Sequence, residues 1–175
     1  MRWFDRKFSF DLAPWMYPNI VERLRGTPAR VEEMTGALSQ GTLTHRAHGA
    51  WSIQENIGHL LDLEALWYGR VEDFDAGVDV LRPADLENRL THEGNHNEHV
   101  LDEILSSFRS QRKRLVIRLD EADQEFVEKV AQHPRLEQPM RMIDLVFFVA
   151  EHDDHHLATI NVLIRMLGPG RDPSV

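Results

Sequence analysis

The sequence predicts an all-α protein, a four-helix bundle with short extra helices and room for a crossover connection. Three observations carry this. Strand signals are weak, with few alternating Val/Ile/Thr runs and no Asn-Gly or Asp-Gly hairpin. Apolar residues recur at helical spacing in four long segments. The connections are short to medium, and no tract rich in Gly, Ser or Pro splits the chain. All 175 residues are therefore expected to form one domain.

The first segment runs from Pro18 to Arg25 and resumes from Ala29 to Leu38, with Thr27-Pro28 between them as an N-cap and a first-turn proline. This reads as one kinked helix or two stacked ones, stopped at Ser39-Gln40-Gly41. Ser52-Ile-Gln-Glu55 has the form of a capping box, in which serine and glutamate each satisfy an orphan amide, and opens a helix to about Phe74. Gly77 and Arg82-Pro83 interrupt the chain, and the stretch from Phe74 to Thr91 is long enough for a crossover. A third helix is expected to start between Thr91 and Asn95 and to reach about Leu119. One short helical turn fits between Asp120 and Val130, before Pro134 and Pro139. The fourth and most apolar helix covers about Arg141 to Leu167, and Gly168-Pro169-Gly170 ends it.

Composition removes several function classes. With no cysteine, there is no thiolate zinc finger, iron–sulfur cluster or cysteine nucleophile, so a transition-metal site must use imidazole and carboxylate. A net charge of −9 disfavours nucleic acid and anionic membranes as partners. No apolar run approaches the roughly 20 residues of a membrane span. The opening MRWFDRKFSFDLAPW lacks the apolar core of a signal peptide, so a cytoplasmic location is expected.

Ten histidines remain to be explained. On the fourth helix, residues laid about 100° apart put Leu145, Val149, Leu163 and Leu167 on one narrow face, with His152 and His156 at its centre. A single histidine there reads as a hydrogen-bonded core residue. Two at adjacent turns are costly to bury unpaired, and the i, i+4 spacing lets two imidazoles share one metal. His59, on the second helix, lies towards the edge of the stripe centred on Leu60 and Trp67, so periodicity leaves it open between ligand and flank. Glu55, Asn56 and Asp62, within one turn of it, are placed to orient its free ring nitrogen.

Two segments, Trp51-Ser-Ile-x-Glu-Asn-x-Gly-His59-Leu and His152-Asp-Asp-His155-His156-Leu, resemble those of the DinB-like superfamily of metal-binding four-helix bundles, YfiT-type members included. The resemblance implies a divalent ion, zinc or nickel, held by His59, His152 and His156, with His155 at a variable position near the rim. It also implies a metal-dependent hydrolase acting on a small substrate, or a transferase that activates a low-molecular-weight thiol. A bundle that binds a small ligand without chemistry is the reading from a different class.

Three neutral imidazoles leave the ion's double charge intact and lower the pKa of bound water towards ~7. No catalytic residue is assigned. The polar stretch Thr91-His92-Glu93 and Asn95-His96-Asn97-Glu98-His99 can supply a base, but an exposed helix start is the favoured reading of each residue in it. His45, His48 and His133 fall in expected loops and receive no role. Trp51 and Trp67 are expected in the core of the second helix. The aromatic segment with Trp3, Phe4, Phe8, Phe10 and Trp15 can close a bundle end or form the contact of a homodimer.

Overall fold

The computed structural model describes residues 3–47 and 49–167. Helix α1 covers Tyr17–Thr35, α2 Gln40–Thr44, α3 Ile53–Asp62, α4 Glu64–Ala76, α5 Arg89–Glu93, α6 Leu101–Asp120, α7 Gln124–Glu128 and α8 Met142–Leu167. Strands β1 (Val130–His133) and β2 (Gln138–Arg141) precede α8. The four-helix bundle consists of α1, the pair α3–α4, α6 and α8. No helix among the described residues is long and apolar enough to cross a membrane.

Helix α1 is continuous through Pro28. A proline in a helix removes the donor that its i−4 carbonyl needs, which exposes Leu24 O. Arg112 from α6 fills the gap, its Nη1 donating to that oxygen at 3.1 Å. Thr27 is interior rather than a cap, with its hydroxyl 2.7 Å from Asp153. Ser39 does not stop the chain but caps α2. The capping box forms as read, with Ser52 and Glu55 satisfying each other's backbone amides. The second long helix divides at Leu63 into α3 and α4.

Cross-helix pairings give the topology. Tyr17 Oη donates to Leu119 O, and Arg109 pairs with Glu32, so α1 and α6 run in opposite directions. Glu64 meets Arg112 and Asp75 meets Arg118, so α4 and α6 run the same way. His156 meets Asn56 and Phe148 meets Trp67, so α8 opposes α3–α4. The order is up, down, down, up. Two successive long helices that point the same way need a crossover. Residues 77–100 provide it.

That crossover corrects the expected third helix. The backbone turns left-handed at Asn88 and Asn95 (φ 51° and 45°), so α5 is a single short helix over Arg89–Glu93, a 3-10 turn follows at His96–Glu98, and α6 begins only at Leu101. The polar stretch Thr91–His99 is therefore not the first turns of a long helix. The expected short turn is α7, capped by Asp123. The antiparallel hairpin β1–β2 was not expected. Its turn has Glu137 at φ 51° and is held by His133 Nδ1, which accepts from the backbone amides of Arg135 and Leu136. The Gly168-Pro169-Gly170 stop lies outside the described residues.

The apolar interior forms two clusters. One holds the α1 start, α4, the α6 end and the first half of α8. The other holds Val31, α3, the α6 start and the end of α8. On every long helix the residues between the two clusters are polar: Thr27, Glu64, Arg112, and His152-Asp153. The candidate site lies in this layer.

Candidate metal centre

His59 from α3 and His152 and His156 from α8 meet in the interior, 4%, 4% and 7% exposed. One ring nitrogen of each lies within 4.8 Å of the others, and ring centroids are 4.6–5.3 Å apart. The i, i+4 spacing stacks the α8 pair on one face, and antiparallel α3 brings His59 against it.

Hydrogen bonds fix which nitrogen faces inward. Thr91 Oγ1 donates to Asp62 at 2.8 Å and has one proton to give. It must therefore accept from His59 Nδ1–H, 2.9 Å away, which leaves the lone pair of His59 on Nε2. The Asn56 amide nitrogen donates to Ser52 O at 2.8 Å, so its oxygen accepts from His156 Nδ1–H at 2.8 Å. His156 likewise presents Nε2. His152 Nδ1 is buried with no hydrogen-bond partner among the described residues.

Burial keeps all three rings neutral. It pushes His59 down to about 4, with nearby imidazoles opposing the pull of Asp62. Burial, then neighbouring histidines, also holds His152 and His156 well below the ordinary imidazole range. The residues fit a divalent cation: three neutral nitrogens converge, two in fixed tautomers, and the third ring has an unsatisfied buried nitrogen.

The expected supporting residues are redistributed. Asn56 orients His156 rather than His59. Asp62 acts on His59 through Thr91 and also meets His96 Nε2 at 2.9 Å. Glu55 belongs to the capping box and pairs with Arg46. His96 packs on Gly58, where an added Cβ would lie 2.2 Å from its ring. Asp153, next to His152 in the chain, is fully buried against Arg112. His92 and His99 are exposed, and His92 reaches only the edge of Trp51.

A cavity of about 360 Å³ opens beside the three rings. Trp51 is not in the core of the second helix: it precedes the cap, half-buried over His59 at 4.7 Å. Trp67 is buried, 5.7 Å from His152. Trp3 closes the other side, 4.9 Å from His152 and 5.8 Å from half-buried His155, so the N-terminal segment covers the site. Sequence reasoning missed Arg70, Arg135 and His133 in the same wall. His133 lies in β1 and is 1% exposed. His45 follows α2, away from the cavity wall, and His48 lies outside the described residues.

The family model of the DinB superfamily matches residues 23–160. No curated protein matches. Among solved structures, the chain is similar to YfiT from Bacillus subtilis, described as a probable metal-dependent hydrolase with an unusual four-helix bundle topology. That likeness covers 93% of this chain and 94% of that one, with TM-score 0.82 and 18% identity, and shows the shared fold.

Proposed function

The chain belongs to the DinB superfamily, and from that footing we propose that it is a cytoplasmic metal-dependent hydrolase whose divalent ion, zinc or nickel, is held by His59, His152 and His156. The observation that carries the reading is the convergence of three buried neutral imidazoles, two of them with Nε2 turned inward. YfiT, of the same fold, is described as a probable metal-dependent hydrolase, which supports the same class here.

When bound, such an ion would supply Lewis acidity that brings the pKa of a bound water to about 7 and holds a bound thiol as its thiolate. The chain's own residues do the rest. Thr91 and Asn56 hold the two rings in their tautomers. Trp3, Trp51 and Trp67 exclude bulk water and offer an apolar wall to a small substrate. His155, facing the cavity beside His156, is the imidazole nearest to hand for a proton.

A second reading, transfer of a low-molecular-weight thiol, is favoured by the donor set. Among the described residues no carboxylate shares the three-histidine cluster, and a doubly charged site suits a thiolate as well as hydroxide. With no cysteine in the chain, that thiol must arrive as a substrate.

Tag-free protein, its metal measured by plasma emission, separates these cases when assayed with 4-nitrophenyl acetate and with 1-chloro-2,4-dinitrobenzene plus cysteine. The proposal expects near-stoichiometric metal and ester cleavage, both lost in His152→Ala and His156→Ala. Thiol conjugation without ester cleavage favours the transferase. Unchanged metal content in both variants contradicts the site itself. The reading includes a homodimer, for which Trp15, 73% exposed, is the candidate contact. A sedimentation mass of 20.3 kDa contradicts that part.

A further inference from the structure

The wall of the cavity away from the histidines carries two arginines, and the one carboxylate that lines the cavity among the described residues, Asp85, is engaged by Arg89. Arg70, on α4, is 1% exposed. Its Nε donates to Arg82 O at 3.1 Å, and its Nη1 faces His133 Nε2 at 3.1 Å. Arg135, in the hairpin turn, lies over Phe4 and Phe148, and its Nη2 is buried with no partner. Neither arginine forms an ion pair among the described residues. The nearest acidic side chain on α4, Asp73, is taken by Arg82.

His133 sharpens the imbalance. Its Nδ1 already accepts from two backbone amides, so a neutral ring carries its proton on Nε2 and points it at Arg70. Donor faces donor. Burial, opposed by Asp73 and aided by Arg135 and Arg82, brings Arg70 down to about 10, and burial with Arg70 and Arg135 nearby brings His133 down to about 3. Buried guanidinium N–H groups left without acceptors are costly, and an oxyanion accepting from several of these donors removes the cost. The charge is also close to the metal centre: Trp67 has the Arg70 guanidinium 5.6 Å from its ring centroid and the His152 ring at 5.7 Å.

We propose that the cavity takes a small amphipathic anion, its carboxylate or phosphonate-like oxyanion held by Arg70 and Arg135 and its apolar body lying along Phe148, Trp3 and Trp67 towards the three histidines. The inference rests on the metalloenzyme reading only in calling this occupant a substrate. The oxyanion site stands on residues that are not candidate ligands.

Isothermal titration calorimetry with 4-phenylbutyrate, 3-phenylpropylphosphonate and the neutral 4-phenylbutyramide tests it, on wild type, Arg135→Met, Arg70→Met and His152→Ala, each checked for folding by circular dichroism. At least one anion is expected to bind about tenfold or more tighter than the amide, the usual worth of a charge-assisted hydrogen bond, and the better of the two identifies the headgroup. Arg135→Met, the less buried position, is expected to bring the ratio close to one while leaving amide binding in place. His152→Ala is expected to keep the wild-type ratio, so loss of metal and loss of the oxyanion site are read apart. Equal binding of acid and amide by wild type, or no binding of either anion, overturns the proposal. So does a preference that survives in both arginine variants, or one that disappears in His152→Ala while persisting in Arg135→Met, which places the anion on the metal instead.

Discussion

His59 presents Nε2 to the centre because Thr91 has one proton and spends it on Asp62. Thr91 arrives from the crossover, 32 residues along the chain, so nothing in the local pattern around His59 announces it. Asn56 does the same for His156. Replacing Thr91 by Val keeps the shape and removes the acceptor, leaving His59 Nδ1–H unpaired and its ring free to turn. Zinc affinity, measured by competition with a chromogenic chelator, is expected to fall about 10–100-fold, with little change in helix content. Unchanged affinity means the relay does not orient the ring. Residue-level legibility divides along these lines. The His152/His156 pair was readable because helical period puts it at the centre of an apolar stripe. His59 was left open by the same criterion, since its placement depends on how α3 meets α8. Arg135 and His133 left no signal, because hairpin residues have no period by which to locate a shared wall, and Arg70, on α4, faces a wall that only the hairpin completes.

At the scale of the elements, the four long helices are pinned to each other by one buried arginine. Arg112 makes a bidentate contact with Glu64 of α4, pairs with Asp153 of α8, and caps the carbonyl that Pro28 frees in α1. The two carboxylates hold it charged despite full burial, its pKa raised above the ordinary guanidinium value. Truncating it leaves two buried acids without a partner and one carbonyl without a donor. Arg112→Ala is expected to cost about 3–5 kcal/mol in urea unfolding. A loss below about 1 kcal/mol contradicts the role assigned to this layer. Pro28 could be read from the sequence only as a break, since a helix interior rejects proline unless something distant supplies the missing donor. The capping box at Ser52–Glu55 was readable in full because it is satisfied within four residues. The hairpin was not, since its turn is held by a histidine side chain rather than by an Asn-Gly pair.

Across the whole molecule, the up-down-down-up order follows from a crossover that also delivers Thr91 and His96 to α3, so topology and site are one feature. The length of that connection signalled its existence, while its internal folding, set by left-handed Asn88 and Asn95, was misread as the start of a helix. The buried imidazoles also give the molecule an acid sensitivity. His133 is held near 3 against an ordinary 6.5, so as pH falls below 6.5 the unfolded chain takes up a proton that the folded one refuses. Its contribution is whole above 6.5 and is lost as pH falls towards 3. Metal-free wild type is therefore expected to lose more stability than His133→Gln between about pH 7 and about pH 5, read by urea unfolding at each pH. Parallel profiles contradict this.

The central claim is that one divalent ion joins α3 to α8. Crystals of tag-free protein, with diffraction recorded above and below the zinc and nickel absorption edges, test it most directly. The account predicts one anomalous peak about 2.0–2.1 Å from Nε2 of His59 and Nε2 of His156, with a nitrogen of His152 completing the trio. No peak in metal-supplemented crystals, or a peak whose ligands omit any of the three histidines, contradicts it.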